Sequence, residues 1–99
     1  MELVFEWDVK KAKANLNKHK VGFEEAKTIF NDPLLLTFPD EEHLEADERF
    51  ISIGMSASNR VLLAVHTERE ATDALLIIRI ISCRKATASE WRVYEEGEA

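Results

Sequence analysis

Residues 75–82 read LLIIRIIS, and this stretch decides the fold. Apolar side chains on both sides of an extended segment are typical of a strand in the interior of a sheet. Upstream, residues 49–55 and 61–67 alternate between two kinds of side chain, as strands with two different faces do. Short polar turns at 56–60 and 68–74 separate the three segments. We therefore expect an antiparallel meander.

The first third of the chain predicts a strand followed by two helices. Residues 3–7 are apolar and aromatic between acidic neighbours, as in a short strand. Asp8 is a suitable N-cap for a helix over residues 9–19, where apolar residues recur at spacings of three and four. A second amphipathic helix over residues 23–30 ends at the Asn31-Asp32-Pro33 segment.

The remaining elements complete a single α+β domain spanning residues 1–99. A strand is expected at residues 34–38, followed by an acidic loop at residues 40–48. Residues 87–90 form a capping box that begins a last helix ending near Tyr94. The predicted order is β-α-α-β-β-β-β-α, an antiparallel sheet with two N-terminal helices and one C-terminal helix.

Length and composition exclude several classes of protein. The 99 residues are 45% hydrophobic and 32% charged, which excludes a disordered chain and more than one domain. No apolar run approaches the roughly 20 residues that cross a bilayer, and the N-terminus lacks a secretory pattern. Cys83 alone forms no internal disulfide, and the histidines lack metal-ligand spacing. We expect a soluble cytoplasmic protein with no membrane partner, no metal and no cofactor.

The net charge of −6 argues against a nucleic-acid partner, but the acidic residues are unevenly distributed. Nine of them lie in residues 40–48 and 95–98. The remainder of the chain carries 13 basic residues against 10 acidic ones. A basic face on this acidic protein is therefore compatible with the sequence.

Two side chains within predicted strands are candidates for chemistry. His66 is either a half-buried histidine with one hydrogen bond or a general acid–base, since histidine titrates near neutrality. Arg79 interrupts the most apolar strand and needs a compensating anion. That anion is either a carboxylate such as Glu90 or Glu48, or a bound phosphate.

Further polar residues extend the anion-binding hypothesis. Arg84 and Lys85 follow Arg79 between the strand and the last helix, and Arg49 begins another strand. Together with His66, the three arginines are candidates to line one side of the sheet. Tyr94 either donates a hydrogen bond to phosphate or anchors the last helix.

Several short motifs, in this order, resemble the BrnT toxin family. The resemblance covers nearly the whole chain, from Phe5 to Glu95, and the combination is far more specific than any one motif. The motifs are Phe5-Glu6-Trp7-Asp8, Lys18-His19, Asp32-Pro33, Arg79-Ile80-Ile81-Ser82 and Arg84-Lys85-Ala86-Thr87.

This resemblance implies a type II toxin–antitoxin toxin with a RelE-like fold. Such proteins are cytoplasmic bacterial ribonucleases that inhibit translation by cleaving RNA. Their implied partner is a BrnA-like antitoxin with a ribbon-helix-helix DNA-binding segment, through which the toxin contacts operator DNA only indirectly.

The chemistry implied by the resemblance is metal-independent cleavage by the RNA 2′-hydroxyl group. By position, Arg79 and Arg84 would bind the scissile phosphate and His66 would transfer a proton. Tyr94 would orient the phosphate. Further positive potential would come from Arg49 and Lys85.

Two other hypotheses stay open at this point. One is a catalytically inactive subunit that binds a DNA-binding antitoxin and acts only in operon autoregulation. The other is a small module that binds anions. Growth arrest and RNA cleavage on expression of the protein alone would distinguish the toxin from both.

Overall fold

The computed structural model describes residues 1–41 and 48–97, and this part of the chain follows the predicted order of elements. The strands are β1 (Glu2–Glu6), β2 (Leu36–Pro39), β3 (Arg49–Met55), β4 (Val61–Thr72) and β5 (Leu75–Lys85). The helices are α1 (Val9–His19), α2 (Phe23–Ala26) and α3 (Ala88–Glu96). A 3-10 helix (Lys27–Asn31) continues α2.

The strands form one sheet in the order β1-β5-β4-β3-β2. Strands β2 to β5 pair antiparallel, which confirms the meander, whereas β1 pairs parallel with β5. A parallel neighbour requires a long connection, and everything between β1 and β5 supplies it. Strand β5 is thus flanked on both sides along its first half, as its apolar sequence predicted.

The two faces of the sheet are covered unequally. Directly paired residues of neighbouring strands share a face. On one side, here called the helix face, Leu62, Ala64, Ile78 and Ile80 form the main core with Val21, Phe23, Ala26 and Ile29. On the other side, the open face, Tyr94 of α3 packs at one end, against Ile53, Val61 and Leu63. The other end of the open face is where the candidate site lies.

A β-bulge in β5 decides which residues reach the open face. Val65 pairs with Ser82, but His66 pairs with Ile80, so Ile81 is an extra residue. Regular alternation would place Arg79 and Arg84 on opposite faces, because they are five positions apart. The extra residue moves Arg79 to the same face as Arg84.

The buried side chain of Asn15 joins α1 to the edge of β5, beyond the end of β1. Its Nδ2 donates to the Cys83 carbonyl (2.9 Å) and to the Val21 carbonyl (3.0 Å). Its Oδ1 accepts from the Cys83 N–H (3.1 Å). The amide therefore replaces a neighbouring strand at Cys83 and fixes the position of α1 along β5.

Three sequence predictions need correction or lie outside the described residues. Strand β4 continues to Thr72, so the expected turn at 68–74 shortens to its last residues because Glu68, Arg69 and Glu70 pair with β5. The second helix changes to 3-10 geometry at Lys27. Most of the acidic loop predicted at 40–48, residues 42–47, lies outside the described residues.

In residues 1–41 and 48–97, no helix has the length and apolar content needed to cross a bilayer.

Replacing Asn15 by leucine tests the clamp between α1 and β5. The change leaves the buried N–H and C=O groups of Cys83 without partners, so the free energy of unfolding should fall by about 2–4 kcal/mol. Urea denaturation at pH 7 measures this. The matched control is Asn17→Leu, at an exposed position of the same helix, which should change stability by less than about 0.5 kcal/mol. Equal effects of the two substitutions would contradict a structural role for the clamp.

Candidate anion-binding cleft

A row of paired residues crosses the open face and places two arginines on either side of a short side chain. Arg49 of β3 pairs with Thr67 of β4, and Thr67 pairs with Arg79 of β5. The two arginines are two strand spacings apart, about 10 Å between Cα atoms. Because threonine is small, space remains above it between two long cationic side chains.

This space is part of a cleft of about 600 Å³. Lys11 of α1 and Arg69 of β4 also line it, so four cationic residues and two acidic ones, Glu48 and Glu68, contribute to its walls. Ile81, the bulged residue of β5, lies at its border. The lining carries an excess of positive charge on a protein with net charge −6. Such a concave cationic site attracts anions.

Arg79 pairs with a carboxylate that the sequence analysis did not name. Its Nη1 donates to Glu6 Oε2 (2.8 Å), and Arg69 Nη2 lies 3.8 Å from Glu6 Oε1. The expected carboxylate partner of Arg79 is therefore present, but it is Glu6 and not Glu90 or Glu48, and the expected burial is wrong because the side chain is 45% exposed. Glu6 precedes Trp7 at the end of β1, and the parallel pairing of β1 with β5 brings it beside Arg79.

Arg49 and Glu48 differ from Arg79 in having no ion pair within residues 1–41 and 48–97. Arg49 is half-buried, and Glu48 is exposed at the rim of the cleft. A guanidinium without a carboxylate partner retains its full capacity to bind a phosphate with two hydrogen bonds.

His66 does not join the arginines, and the expectation that all four residues line one side of the sheet is wrong. The histidine is fully buried on the helix face, between the rings of Phe30 and Phe50. Its Nε2 is hydrogen-bonded to Ser52 Oγ (2.7 Å), whereas Nδ1 lies 3.9 Å from Glu68 Oε1, too far for a hydrogen bond. Burial lowers the pKa of His66 to about 4, so the imidazole is neutral at pH 7.

Arg84 lies on the open face but is held by α3. Its two terminal nitrogens donate to the two carboxylate oxygens of Glu90, at 2.7 and 2.9 Å. The same carboxylate accepts from the Thr87 N–H (2.8 Å) in the predicted capping box. Hydrogen bonds from Arg84 are the main cause that lowers the pKa of Glu90 to about 2. Arg84 therefore fixes the start of α3.

Tyr94 anchors α3 at its other end, one of the two roles that the sequence left open. Its hydroxyl donates to Asp32 Oδ2 (2.6 Å), and the same oxygen accepts from the Met55 N–H (2.7 Å). Burial and the Asp32 carboxylate raise the pKa of Tyr94 to about 12. Lys85 pairs with Leu62, so its register places it on the helix face, away from the cleft.

Among residues 1–41 and 48–97, no cluster of three or more His, Cys, Asp or Glu side chains is arranged to hold a metal ion.

The order of elements and the motifs place the chain in a known family. A family model described as the ribonuclease toxin BrnT of type II toxin–antitoxin systems matches residues 7–90. The chain belongs to the BrnT family. Membership confirms the resemblance noted in the sequence and implies an antitoxin partner. No curated protein sequence matches the chain.

A solved structure supports the same fold for this BrnT family member. The crystal structure of the Brucella abortus ribonuclease toxin BrnT superimposes with a TM-score of 0.62 at 20% sequence identity. The match covers 88% of this chain and 99% of that one. The predicted α+β fold is thereby confirmed.

The sequence analysis missed several residues that border the cleft, among them Lys11, Thr67 and Arg69. The sequence predicts a turn at Arg69 because its charged neighbours do not show the alternation of apolar and polar residues that is typical of a strand. Thr67 alternates with Val65 on the open face, a signal visible in the sequence, but its partner Arg79 depends on the bulge. Nothing in the sequence of α1 distinguishes Lys11 from the other lysines.

His66→Gln should flatten the dependence of stability on pH between 5 and 6.5. The pKa of His66 is about 4 in the folded protein and about 6.5 in the unfolded chain, so the unfolded chain binds more protons between these values. The free energy of unfolding is therefore unaffected by this histidine above pH 6.5. It declines as the pH falls towards 4, by about 3 kcal/mol in total. Glutamine retains a group able to bond Ser52 without titrating.

The measurement is the free energy of unfolding from urea denaturation at pH 5.0, 5.5, 6.0 and 6.5. If the free energy of unfolding changes equally with pH in the original protein and in His66→Gln, the imidazole is not buried in its neutral form.

Proposed function

We propose that this chain is an endoribonuclease toxin that binds the scissile phosphate of RNA between Arg49 and Arg79. Cleavage of RNA inhibits translation, and the reaction needs no metal ion. The observation that carries this proposal is the Arg49–Thr67–Arg79 row, which sets the Cα atoms of two permanently cationic residues about 10 Å apart on the sheet. Membership of a ribonuclease toxin family supports the choice of RNA as substrate.

Two guanidinium groups suit the charge that develops during RNA cleavage. When the 2′-oxygen attacks phosphorus, negative charge accumulates on the two nonbridging oxygens. Arg49 and Arg79 approach a phosphate above Thr67 from opposite sides, and each arginine can donate two hydrogen bonds. The positive charge therefore comes from the protein itself, which is the reason for proposing a metal-independent reaction.

Glu48 is our candidate for the proton acceptor. Its carboxylate lies at the cleft and has no ion pair within the described residues. It would take the proton of the 2′-hydroxyl as the new bond from the 2′-oxygen to phosphorus forms. The bond to the 5′-oxygen then breaks, leaving a 2′,3′-cyclic phosphate, and water at the open mouth of the cleft protonates the departing 5′-oxygen.

The other residues nominated from the sequence take supporting roles in this proposal. His66 is buried on the opposite face, so proton transfer is assigned to Glu48 instead. Arg84 and Tyr94 hold the two ends of α3, so in this proposal they stabilise the fold and do not contact the RNA. Lys85 is left without a direct contact to the scissile phosphate.

The proposed partner is a BrnA-like antitoxin with a ribbon-helix-helix segment, and operator DNA is contacted only through that antitoxin. We place the reaction in the bacterial cytoplasm, where both messenger RNA and an operator are present. The support for the partner is the type II toxin–antitoxin family to which the chain belongs.

Arg49→Ala and Arg79→Ala should each lower the rate of RNA cleavage by about 10²–10³-fold, because each removes a donor that stabilises the transition state. The assay uses purified protein, a fluorescent single-stranded RNA and a buffer containing EDTA. The original protein should cleave in that buffer. Arg92→Ala, an exposed arginine on α3, is the control and should retain full activity.

Three results would contradict this part of the proposal. Loss of cleavage by the original protein in EDTA would exclude a metal-independent reaction. Equal activity of Arg79→Ala and Arg92→Ala would remove the cleft from the mechanism. Loss of folding in the alanine variants, seen by circular dichroism, would make both arginines structural.

A second candidate function is a catalytically inactive subunit that serves only in autoregulation with an antitoxin. The specific observation in its favour is Glu6, which neutralises Arg79 and lies close to Arg69. Expression of the chain alone distinguishes the two functions. An active toxin arrests growth and degrades RNA, whereas the inactive subunit leaves growth unchanged although the protein is soluble and folded.

Glu48→Gln should lower kcat by about 10²–10⁴-fold and leave KM unchanged or lower it, since the amide cannot accept the proton but removes a negative charge beside the substrate. Steady-state cleavage of the same RNA measures both constants. Glu70→Gln, an exposed acid of β4 outside the cleft, is the matched control. An increase in KM at constant kcat would mean that Glu48 contacts the substrate without transferring a proton.

A further inference from the structure

The charge of α1 is unusual for a protein of net charge −6. The helix contains the lysines Lys10, Lys11, Lys13 and Lys18, ends in His19 and has no acidic residue. Apart from Lys27, which pairs with Glu24, no lysine forms an ion pair within residues 1–41 and 48–97. This helix therefore presents an excess of positive charge.

The helix dipole accounts for Lys18 but not for the lysines at the start of α1. Lys10 and Lys11 lie in the first turn of α1, where the helix dipole disfavours cations, and no acidic residue stands there. Within the helix itself no favourable pair at a spacing of three or four residues can form, and the N-cap Asp8, three residues before Lys11, interacts with that lysine electrostatically. Lys18 lies in the last turn, where the helix dipole favours it, whereas Lys10 and Lys11 in the first turn gain nothing from the dipole.

Two of these lysines lie beside the junction of α1 with β5. Asn15 binds Cys83 at that junction. Lys11 precedes Asn15 by four residues and Lys18 follows it by three, so both are its neighbours on the helix surface. Both are exposed, and we call the strip that they form the lysine seam. Lys13, in contrast, lines an apolar groove on another side of α1 with Val9 and Phe23.

The lysine seam is continuous with the cleft, because Lys11 belongs to both. Lys11 and Lys18 are seven residues apart, about 10 Å along the helix axis. A stacked strand rises about 3.4 Å per nucleotide, so the seam spans roughly three nucleotides. A strand whose phosphate occupies the cleft can therefore continue along α1.

We infer that the lysine seam, Lys11 and Lys18, binds the backbone phosphates of single-stranded RNA next to the scissile phosphate. The inference rests on the proposed function, because it takes RNA as the ligand of the cleft. The contacts are electrostatic and independent of base identity. The seam increases the affinity for RNA long enough to reach beyond the cleft, and it offsets the negative charge of the protein as a whole.

The test compares the binding of two uncleavable 2′-O-methyl RNAs, of 4 and 12 nucleotides, by fluorescence anisotropy between 50 and 200 mM salt. The variants are Lys11→Gln/Lys18→Gln and the control Lys13→Gln/Lys27→Gln, which removes the same charge elsewhere. The original protein and the control should bind the longer RNA much more tightly than the shorter one. In the seam variant this advantage should largely disappear, and the slope of log K against log salt should shrink by about 1.4, or 0.7 per phosphate contact.

Equal losses in the two double variants would overturn the inference, because net charge alone would then explain binding. No length dependence in the original protein would also overturn it. If a poly-glutamate peptide binds as tightly as the RNA, and if the seam variant no longer binds that peptide, the inference is overturned and the lysines belong to the binding site of an acidic protein partner. Because 2′-O-methyl RNA is not cleaved, these results are independent of catalysis, which the cleavage assay tests separately.

Discussion

The buried amide of Asn15 fixes the arrangement on which the proposed site depends. Strand β1 covers only the first half of β5, and beyond it the Asn15 side chain binds both backbone groups of Cys83. This contact holds α1 along the exposed edge of β5 and so sets Lys11 at the border of the cleft. A single side chain therefore links the helix layer to the sheet that carries the arginines.

The open face and the helix face divide the polar residues between two tasks. Arg49 and Arg79 lie on the open face, in contact with solvent. His66 lies on the helix face with Ser52, whose hydroxyl also bonds Thr37. A histidine buried in its neutral form destabilises the fold only as the pH falls from about 6.5 towards 4, whereas a solvent-exposed arginine remains charged at every relevant pH. The proposed contacts to phosphate are thus assigned to permanent cations.

The sequence predicted the order of elements well because those signals are local. The N-cap at Asp8, the capping box at Thr87 and the alternation in β3 each depend on a few neighbouring residues. The site depends instead on pairing between distant strands. The bulge at Ile81 moves Arg79 to the other face of the sheet, and the parallel pairing of β1 with β5 brings Glu6 beside it. Neither feature can be predicted from a few neighbouring residues.

The central claim is that the arginine row on the open face contacts RNA and that the buried histidine does not. NMR titration with a 2′-O-methyl RNA tests it directly, by following the side-chain Nε–H resonances of Arg49 and Arg79 and the ring resonances of His66. Large shifts are expected for both arginines and little change for the histidine. Shifts centred on His66, with the arginine resonances unmoved, would contradict it.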